Sequence, residues 1–160
     1  MGSGNADKKV LVIDDNPTIV ELIKYAVRLQ GDYQVSVAYD GVQGLERILA
    51  EHPDCVIIDV KMPKMGGYQL LRCLRGDTGT ADIPLILLSA MTREEDKLTG
   101  LLSGADEYLT KPFKPNALNA AIERVLRLTP EERKLRTSTL AQKDLEYDPE
   151  KDPEDDPEDK

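Results

Sequence analysis

The chain has 160 residues, enough for one ordinary domain and a remainder but too few for two full domains. Charged residues make up 32% and apolar residues 40%, which is typical of a soluble globular protein, and no apolar run approaches the roughly 18 residues of a membrane span. The net charge is −9, and residues 148–160 contribute −6 of it, with eight acidic side chains against two lysines. Because no basic stripe is available to neutralise phosphates, we expect no direct nucleic-acid binding. Because no apolar run is long enough to span a bilayer, we expect no membrane insertion.

The N-terminus and the cysteines carry little functional information. Residues 1–7 lack the apolar segment of a signal peptide, so we interpret them as a tag remnant or a disordered N-terminus. Cys55 and Cys73 stand alone within apolar patterns, without C-x-x-C spacing or a neighbouring histidine. This usage predicts two reduced core cysteines and a cytoplasmic protein.

Short apolar runs alternate with segments of helical periodicity along the chain. The runs predict strands at Val10–Ile13, Val35–Ala38, Cys55–Ile58, Leu85–Leu88 and Glu107–Leu109. The first, third and fourth runs are almost continuously apolar, as central strands of a parallel sheet are. Five βα units in series predict an α/β fold, a doubly wound five-stranded parallel sheet with helices on both faces.

The predicted helices have recognisable ends and apolar faces. Asn16 and Pro17 are the cap and first residue of helix one, the capping box Thr92-Arg93-Glu94-Glu95 opens a fourth helix that ends at Gly104, and Pro115 opens a fifth. The apolar faces expected in the core are Ile19, Val20, Ile23, Ala26 and Val27 in helix one; Val42, Leu45, Ile48 and Leu49 in helix two; Leu70, Leu71 and Leu74 in helix three; Leu98, Leu101 and Leu102 in helix four; and Leu118, Ile122, Val125 and Leu126 in helix five.

Polar residues follow four of the predicted strands at the same end. Asp14 and Asp15 follow the first strand, Asp59 the third, Ser89 the fourth and Lys111 the fifth. Each residue alone has an ordinary explanation, such as a helix cap, a strand-end hydroxyl or a solvated lysine. Because parallel α/β sheets bind ligands beyond the carboxyl ends of their strands, the set as a whole indicates one functional crevice.

The chemistry that suits this set is phosphoryl transfer. Closely packed carboxylates repel one another, and a divalent cation with hard oxygen ligands, Mg²⁺, relieves that repulsion. An ammonium such as Lys111 can neutralise the oxygens of a phosphoryl group. A carboxylate can then act as the nucleophile and form an acyl phosphate, for which Asp59 is the natural choice, with Asp14 and Asp15 left to the metal.

The sequence resembles a response-regulator receiver domain of two-component signalling. The matching stretches, in order, are I-D-D from Ile13 to Asp15, I-I-D-V-K-M-P-K-M-x-G from Ile57 to Gly67, L-S-A from Leu88 to Ala90, and Y-L-T-K-P-F from Tyr108 to Phe113. Together they cover residues 8–128, which we assign as the receiver domain. The resemblance implies a flavodoxin-like fold with strand order 2-1-3-4-5.

The resemblance also implies residue roles. A sensor histidine kinase or histidine phosphotransfer protein would phosphorylate Asp59, and Mg²⁺ would be bound by Asp15, Asp59 and the backbone carbonyl of Lys61, with Asp14 assisting through water. Lys111 would contact the phosphoryl group and precede a cis proline. Ser89 would hydrogen-bond the phosphoryl oxygen while Tyr108 moves inward, and this switch would be the signal. Such a phosphoprotein is not a dedicated enzyme, although slow autodephosphorylation is expected.

Beyond the domain, the capping box Thr129-Pro130-Glu131-Glu132 predicts an additional helix over 129–147. Residues 148–160 repeat Asp-Pro-Glu three times, and proline and like charges predict a disordered acidic tail. The predicted helix lacks a sustained heptad pattern, which argues against a coiled coil. A homodimer of another kind is still an alternative. Two routes for passing on the signal are compatible with the sequence: binding to an unknown output partner, or a fused output domain outside this sequence.

Two alternatives to the phosphoacceptor function differ in chemistry. A haloacid-dehalogenase-like phosphatase would need D-x-D after the first strand and a cap insertion, whereas here the two acids are adjacent. A degenerate receiver would bind partners independently of phosphorylation. This reading is disfavoured because all five chemical positions are filled.

Overall fold

The structure is a computed structural model that describes residues 8–62, 64–90, 100 and 104–145. Its strands are β1 (Lys9–Ile13), β2 (Gln34–Ala38), β3 (Cys55–Asp59), β4 (Leu85–Ser89) and β5 (Glu107–Thr110). The helices among these residues are α1 (Pro17–Gln30), α2 (Gly41–Glu51), α3 (Gly67–Gly76), α4 (Pro115–Arg127) and α5 (Pro130–Leu145). All strand pairs are parallel, in the order β2-β1-β3-β4-β5, so the predicted α/β fold and its strand order are confirmed.

Helix α1 shows how local sequence sets the helix that follows the first strand. The side chain of Asn16 accepts hydrogen bonds from the backbone N–H groups of Thr18 (3.0 Å) and Ile19 (3.4 Å), and Pro17 occupies the first helical position. This cap satisfies donors that a helix start otherwise leaves unpaired. The buried residues of α1 belong to the predicted apolar face: Val20, Ile23, Ala26 and Val27.

The sheet separates two apolar cores, because successive strand residues point to opposite faces. Val10 and Val12 pack with α1 and α4 on one face, whereas Leu11 and Ile13 pack with α2 and α3 on the other. Every residue of β3 and β4 is buried. Burial on both faces fixes the register of the strands, since a slip by one residue would exchange the two cores.

Two predictions about core residues are wrong. Val42 and Leu49 of α2 are 43% and 55% exposed, and Cys73 is also exposed. The side of α2 that faces the domain is formed by Gly41, Gly44 and Ile48, and a Cβ atom at Gly44 would lie 2.5 Å from Cδ1 of Ile13. Because Gly44 brings α2 this close to the sheet and Gly41 brings it equally close to Met65, the buried face of α2 is narrower than the apolar spacing suggests.

Several predicted features lie partly or wholly outside the described residues. Of the predicted fourth helix, the structure describes only Gly100 and the terminal Gly104, and the acidic segment 148–160 lies outside altogether. Helix α5 occupies most of the segment predicted to be helical at 129–147, and the Thr129 hydroxyl accepts a hydrogen bond from the Glu132 N–H at 3.1 Å. Within the described ranges, no helix combines the length and the apolar character needed to cross a membrane.

Candidate phosphoryl-transfer site

The carboxyl ends of the three central strands and β5 bring the predicted residues to one place. Asp14 directly follows β1, Asp59 is the last residue of β3, and Lys111 directly follows β5. The ammonium of Lys111 lies 3.0 Å from Oδ2 of Asp14 and 3.1 Å from Oδ1 of Asp59. The chain therefore brings together groups separated by as many as 97 positions in the sequence.

The two buried aspartates differ in how many of their oxygens are engaged. Asp14 is 1% exposed, and its second oxygen, Oδ1, accepts the backbone N–H of Asn16 at 2.9 Å. Asp59 is 7% exposed, and Lys111 is its only hydrogen-bond donor in the described part of the chain. Among the described residues, one oxygen of Asp59 thus has no donor, whereas both oxygens of Asp14 accept hydrogen bonds.

Three carboxylates form a set that suits a divalent cation. Asp14, Asp15 and Asp59 each offer one oxygen, and these oxygens lie within 4.8 Å of one another. Asp15 is exposed and opens the cluster to solvent, while the other two are buried. Mg²⁺ sites in proteins provide hard oxygen donors and an excess of negative charge. Here three carboxylates face the ammonium of Lys111, and the cluster is open on the side of Asp15. Lys61, whose carbonyl was the predicted fourth ligand, is exposed and lies two residues beyond Asp59.

Electrostatics set the protonation of the site. Burial raises the pKa of Asp59 above its ordinary value, the negative charge of Asp14 raises it further, and the hydrogen bond and charge of Lys111 oppose both effects. Burial also acts to lower the pKa of Lys111, but the hydrogen bonds and charges of Asp14 and Asp59 outweigh it and raise that pKa. Lys111 is therefore held in its cationic form. The negative charge of Asp59 beside it is only partly compensated by this lysine.

The loop after β3 holds the backbone of Asp59 through a close glycine contact. A Cβ atom at Gly67 would lie 2.4 Å from the carbonyl oxygen of Asp59 and 2.9 Å from Cα of Val60, so no side chain fits there without backbone movement. The Gly67 N–H donates to the Val60 carbonyl at 2.9 Å. This role of Gly67 was not predictable from the sequence, because a Gly-Gly pair indicates a turn but does not indicate which glycine makes the contact.

Ser89 and Tyr108 lie on neighbouring strands. Ser89 is buried at the end of β4, and its carbonyl accepts the Lys111 N–H at 2.7 Å. Tyr108 is 7% exposed, and its ring lies against the position of Gly100, where an added Cβ would be 2.8 Å from Cδ2 of the ring. The Lys111–Pro112 peptide bond is cis, as the resemblance implies.

Comparison with known proteins identifies the family. The family model of the response regulator receiver domain matches residues 10–123. The chain belongs to this family. Two transcriptional regulators illustrate the relationship: this receiver is 39% identical over 121 residues to the DNA-binding dual master transcriptional regulator RpaA of Synechocystis, and 40% identical over 121 residues to the alkaline phosphatase synthesis transcriptional regulatory protein PhoP of Bacillus subtilis.

Solved receiver structures agree with the fold and with the extent of the match. The receiver domain of the Francisella response regulator 1452 superimposes with a TM-score of 0.70 at 36% identity, covering 76% of this chain and 98% of that one. The chemotaxis response regulator CheY4 of Vibrio cholerae gives 0.69 at 33% identity, covering 74% and 98%. In contrast, the matches to RpaA and PhoP cover 76% of this chain but only 50% and 49% of those regulators, so the chain spans about half their length.

Proposed function

We propose that this receiver accepts a phosphoryl group on Asp59 in a Mg²⁺-dependent reaction and that the modification controls partner binding. The observation that carries the assignment is the unused oxygen of Asp59, next to the ammonium of Lys111. A hydrogen bond withdraws electron density from the oxygen that accepts it and so weakens that oxygen as a nucleophile. Asp14 has both oxygens engaged, so Asp59 is the better nucleophile of the two buried acids.

In the proposed reaction, the free carboxylate oxygen of Asp59 forms a bond to phosphorus. The bond from phosphorus to the donor's leaving group breaks, and that group leaves with the electron pair. The product is an acyl phosphate on Asp59. Lys111 is placed to neutralise charge on the transferred oxygens, since its ammonium already lies 3.1 Å from the attacking carboxylate.

A metal ion fits the same cluster. Asp14, Asp15 and Asp59 would hold Mg²⁺, which supplies positive charge that offsets the repulsion among the carboxylates and the incoming phosphoryl group. Their oxygens lie close enough to share one ion. Asp15 lies on the exposed side of the cluster, and a phosphoryl donor can approach from this side.

We propose Ser89 and Tyr108 as the groups that convert the modification into a signal. The phosphoryl group adds about 1.5 to 2 negative charges and three acceptor oxygens, to which the Ser89 hydroxyl can donate. Because Tyr108 already lies inward in the unmodified chain, the modification would shift the balance between this position and an outward one. The partners we propose are a histidine kinase or phosphotransfer protein as donor and a separate or fused output module, as the family membership suggests.

The test is the intact mass of the full chain after incubation with acetyl phosphate, with and without Mg²⁺. The expected result is a gain of one phosphoryl group that requires Mg²⁺ and is absent in Asp59→Asn. A matched control is Asp82→Asn, which removes one exposed carboxylate far from the site and should label like the wild type.

Two other results separate the alternatives. Labelling that persists in Asp59→Asn would place the nucleophile elsewhere, and steady release of phosphate from a generic phosphomonoester would favour the phosphatase. If the wild type gains no mass with acetyl phosphate or with a panel of phosphorylated histidine donors, while a known receiver is labelled in parallel, the degenerate binding module replaces the proposal.

A further inference from the structure

A second charge cluster lies at the amino ends of β4 and β5, opposite the phosphoryl-transfer site. We call it the arginine latch. It comprises two acids and four arginines from four parts of the chain: Arg75, Asp106, Glu107, Arg124, Arg133 and Arg136. None of these residues belongs to the proposed site at the carboxyl ends of the strands.

Asp106 is the centre of the arginine latch. It is 7% exposed, and its Oδ2 accepts hydrogen bonds from Nη2 of Arg75 at 3.0 Å and from the backbone N–H of Leu85 at 2.8 Å. Its other oxygen, Oδ1, accepts a hydrogen bond from Nε of Arg133 at 3.1 Å. One buried carboxylate therefore joins α3, the start of β4 and the first turn of α5.

Glu107 forms the second half of the latch. Its Oε1 accepts a hydrogen bond from Nε of Arg124 in α4 at 2.8 Å and forms an ion pair with Nη1 of Arg136 in α5, also at 2.8 Å. The same Nη1 of Arg136 also lies 3.2 Å from the Asp106 carbonyl. Glu107 is the first residue of β5, so α4 and α5 are both tied to this strand.

These contacts hold α5 by its first two turns. Arg133 is 7% exposed and also donates to the carbonyl of Asp82, in the turn that precedes β4. Burying a guanidinium costs several kcal/mol in order of magnitude, unless its donors are satisfied. A helix that only tethered a following segment would not need such a contact, which indicates that α5 is part of the domain's folded unit.

The latch is not an empty anion site, despite its excess of positive charge. Arg75 donates from Nε to the Gly104 carbonyl at 2.8 Å and from Nη1 to the carbonyls of Ala81 and Ile83 at 2.8 and 2.6 Å. With its Nη2 on Asp106, every nitrogen of this guanidinium is engaged. The donors hold the protein together and are not free for a ligand.

The two strands of the latch lead to the phosphoryl-transfer site. β4 runs from Leu85 to Ser89, and β5 runs from Glu107 to Thr110, directly before Lys111. At one end, the Asp106 N–H donates to the Leu85 carbonyl at 2.9 Å; at the other, the Lys111 N–H donates to the Ser89 carbonyl at 2.7 Å. Strands of this length span about 13–17 Å, so a short, fully paired unit connects the two charge clusters.

We propose that the arginine latch couples the docking of α5 to the phosphorylation state of Asp59, with β4 and β5 as the connection. This inference rests on the proposed function. Lys111 is shared by Asp14 and Asp59 in the unmodified chain, and a phosphoryl group gives both Lys111 and Ser89 new acceptors. The carboxyl ends of β4 and β5 then move together. The hydrogen bonds of Asp106 and Glu107, at the amino ends of the same strands, change in length as a result. By linkage, the coupling acts in both directions.

The first measurement is amide hydrogen exchange of residues 130–145 in the full chain, with Mg²⁺ alone and with Mg²⁺ plus beryllofluoride as a phosphoryl mimic. We expect the exchange rates in α5 to differ by about threefold or more between the two conditions. Binding of beryllofluoride is followed independently by its ¹⁹F resonance. A bound resonance with unchanged exchange in α5 would overturn the coupling and leave the proposed function intact.

The second measurement uses Arg133→Gln against Lys134→Gln. Both remove one positive charge from α5, but Arg133 is buried in the latch, whereas Lys134 is exposed and 3.9 Å from Asp82. Asp106 keeps Arg75 and the Leu85 N–H in Arg133→Gln, and Arg133→Lys is a milder second variant. We expect the lifetime of phosphorylated Asp59 to change about threefold or more in Arg133→Gln, less in Arg133→Lys, and not in Lys134→Gln.

Equal lifetimes in all four proteins would overturn the proposal, because a purely structural latch would change stability without changing the chemistry of Asp59. Equal changes in Arg133→Gln and Lys134→Gln would overturn it too, since they would show a general charge effect. Failure of the wild type to bind beryllofluoride or to become phosphorylated would overturn the proposed function, and the coupling with it.

Discussion

The two ends of the sheet carry charge clusters with opposite balances. At the carboxyl ends, Asp14, Asp15 and Asp59 face one ammonium among the described residues, that of Lys111, and Asp59 keeps an oxygen without a donor. At the amino ends, four guanidinium groups share the carboxylates of Asp106 and Glu107. In the first cluster, Asp59 has one oxygen without a donor from the described residues, whereas in the second both oxygens of Asp106 accept hydrogen bonds.

This difference shows how the same residue types serve reactivity in one place and cohesion in another. A carboxylate with an unused oxygen and a raised pKa can attack an electrophile or bind a cation. A carboxylate with three donors, such as Asp106, gains nothing from a ligand and loses much when a donor is removed.

The largest effect is expected from Asp106→Ala, which removes the centre of the arginine latch. Arg75, Arg133 and the Leu85 N–H then lose a buried acceptor, and the free energy of unfolding should fall by about 3–5 kcal/mol. Urea unfolding followed by circular dichroism measures this loss. Asp82→Ala, at an exposed carboxylate 3.9 Å from Lys134, should stay within about 0.5 kcal/mol of the wild type. Similar losses in the two variants would mean that Asp106 is not the hub described above.

Gly67→Ala changes the support of the phosphoryl-transfer site without altering its charge. The new methyl group would meet backbone atoms of Asp59 and Val60, so we expect a loss of about 2 kcal/mol in unfolding free energy. Gly66→Ala is the matched control, since its Cβ would be 3.6 Å from the Val60 carbonyl, an ordinary contact. The order of the two thermal midpoints decides the question: Gly66→Ala must unfold at the higher temperature.

Asp59→Asn is expected to stabilise the protein when Mg²⁺ is absent. The substitution removes a carboxylate that burial and Asp14 disfavour, so the free energy of unfolding should rise by on the order of 1 kcal/mol. With Mg²⁺ at a hundred times its dissociation constant, the wild type gains about 2.7 kcal/mol and Asp59→Asn gains less, which reverses the order. Denaturant titrations with EDTA or with Mg²⁺ test this reversal, and its absence would argue against Asp59 as a ligand.

The smallest effect is the pH dependence of that difference without Mg²⁺. Since the folded state raises the pKa of Asp59 above its ordinary value of 3.8, the folded chain binds this proton more tightly than the unfolded chain. The destabilisation is therefore complete above the raised pKa and disappears as the pH falls through it toward 3.8. The advantage of Asp59→Asn should shrink between pH 7 and pH 4. A difference that grows on acidification would reverse the assigned direction.

Much of the fold was predictable because it depends on local patterns. Each predicted strand lies within the observed strand to within one residue at either end, and Asn16 caps α1 as expected. The rule that parallel strands place their carboxyl ends at one edge was enough to bring Asp14, Asp59 and Lys111 together. In contrast, the exposure of Val42 and Leu49 was missed, because it depends on how closely Gly44 lets α2 approach Ile13 of the sheet and Gly41 lets it approach Met65.

The arginine latch was not predictable from the same patterns. Arg75 and Asp106 are 31 positions apart, and Arg133 and Asp106 are 27 apart, so their pairing depends on the final packing of α3 and α5. Arginines on helices usually read as solvated surface residues. Asp106 stands directly before β5 and looks like an ordinary turn residue. No local spacing marks it as the acceptor for the half-buried guanidinium of Arg75 and the buried one of Arg133.

The parallel sheet also gives the domain two separate approaches. In the proposed reaction, a phosphodonor would reach Asp59 across the carboxyl ends of the strands. Helix α5 meets the domain at the other end, at Asp82 and Asp106, which precede β4 and β5, and at Glu107, the first residue of β5. About 13–17 Å of strand lies between the two places. A module attached through α5 and a donor protein would therefore approach opposite ends of the sheet and would not compete for the same surface.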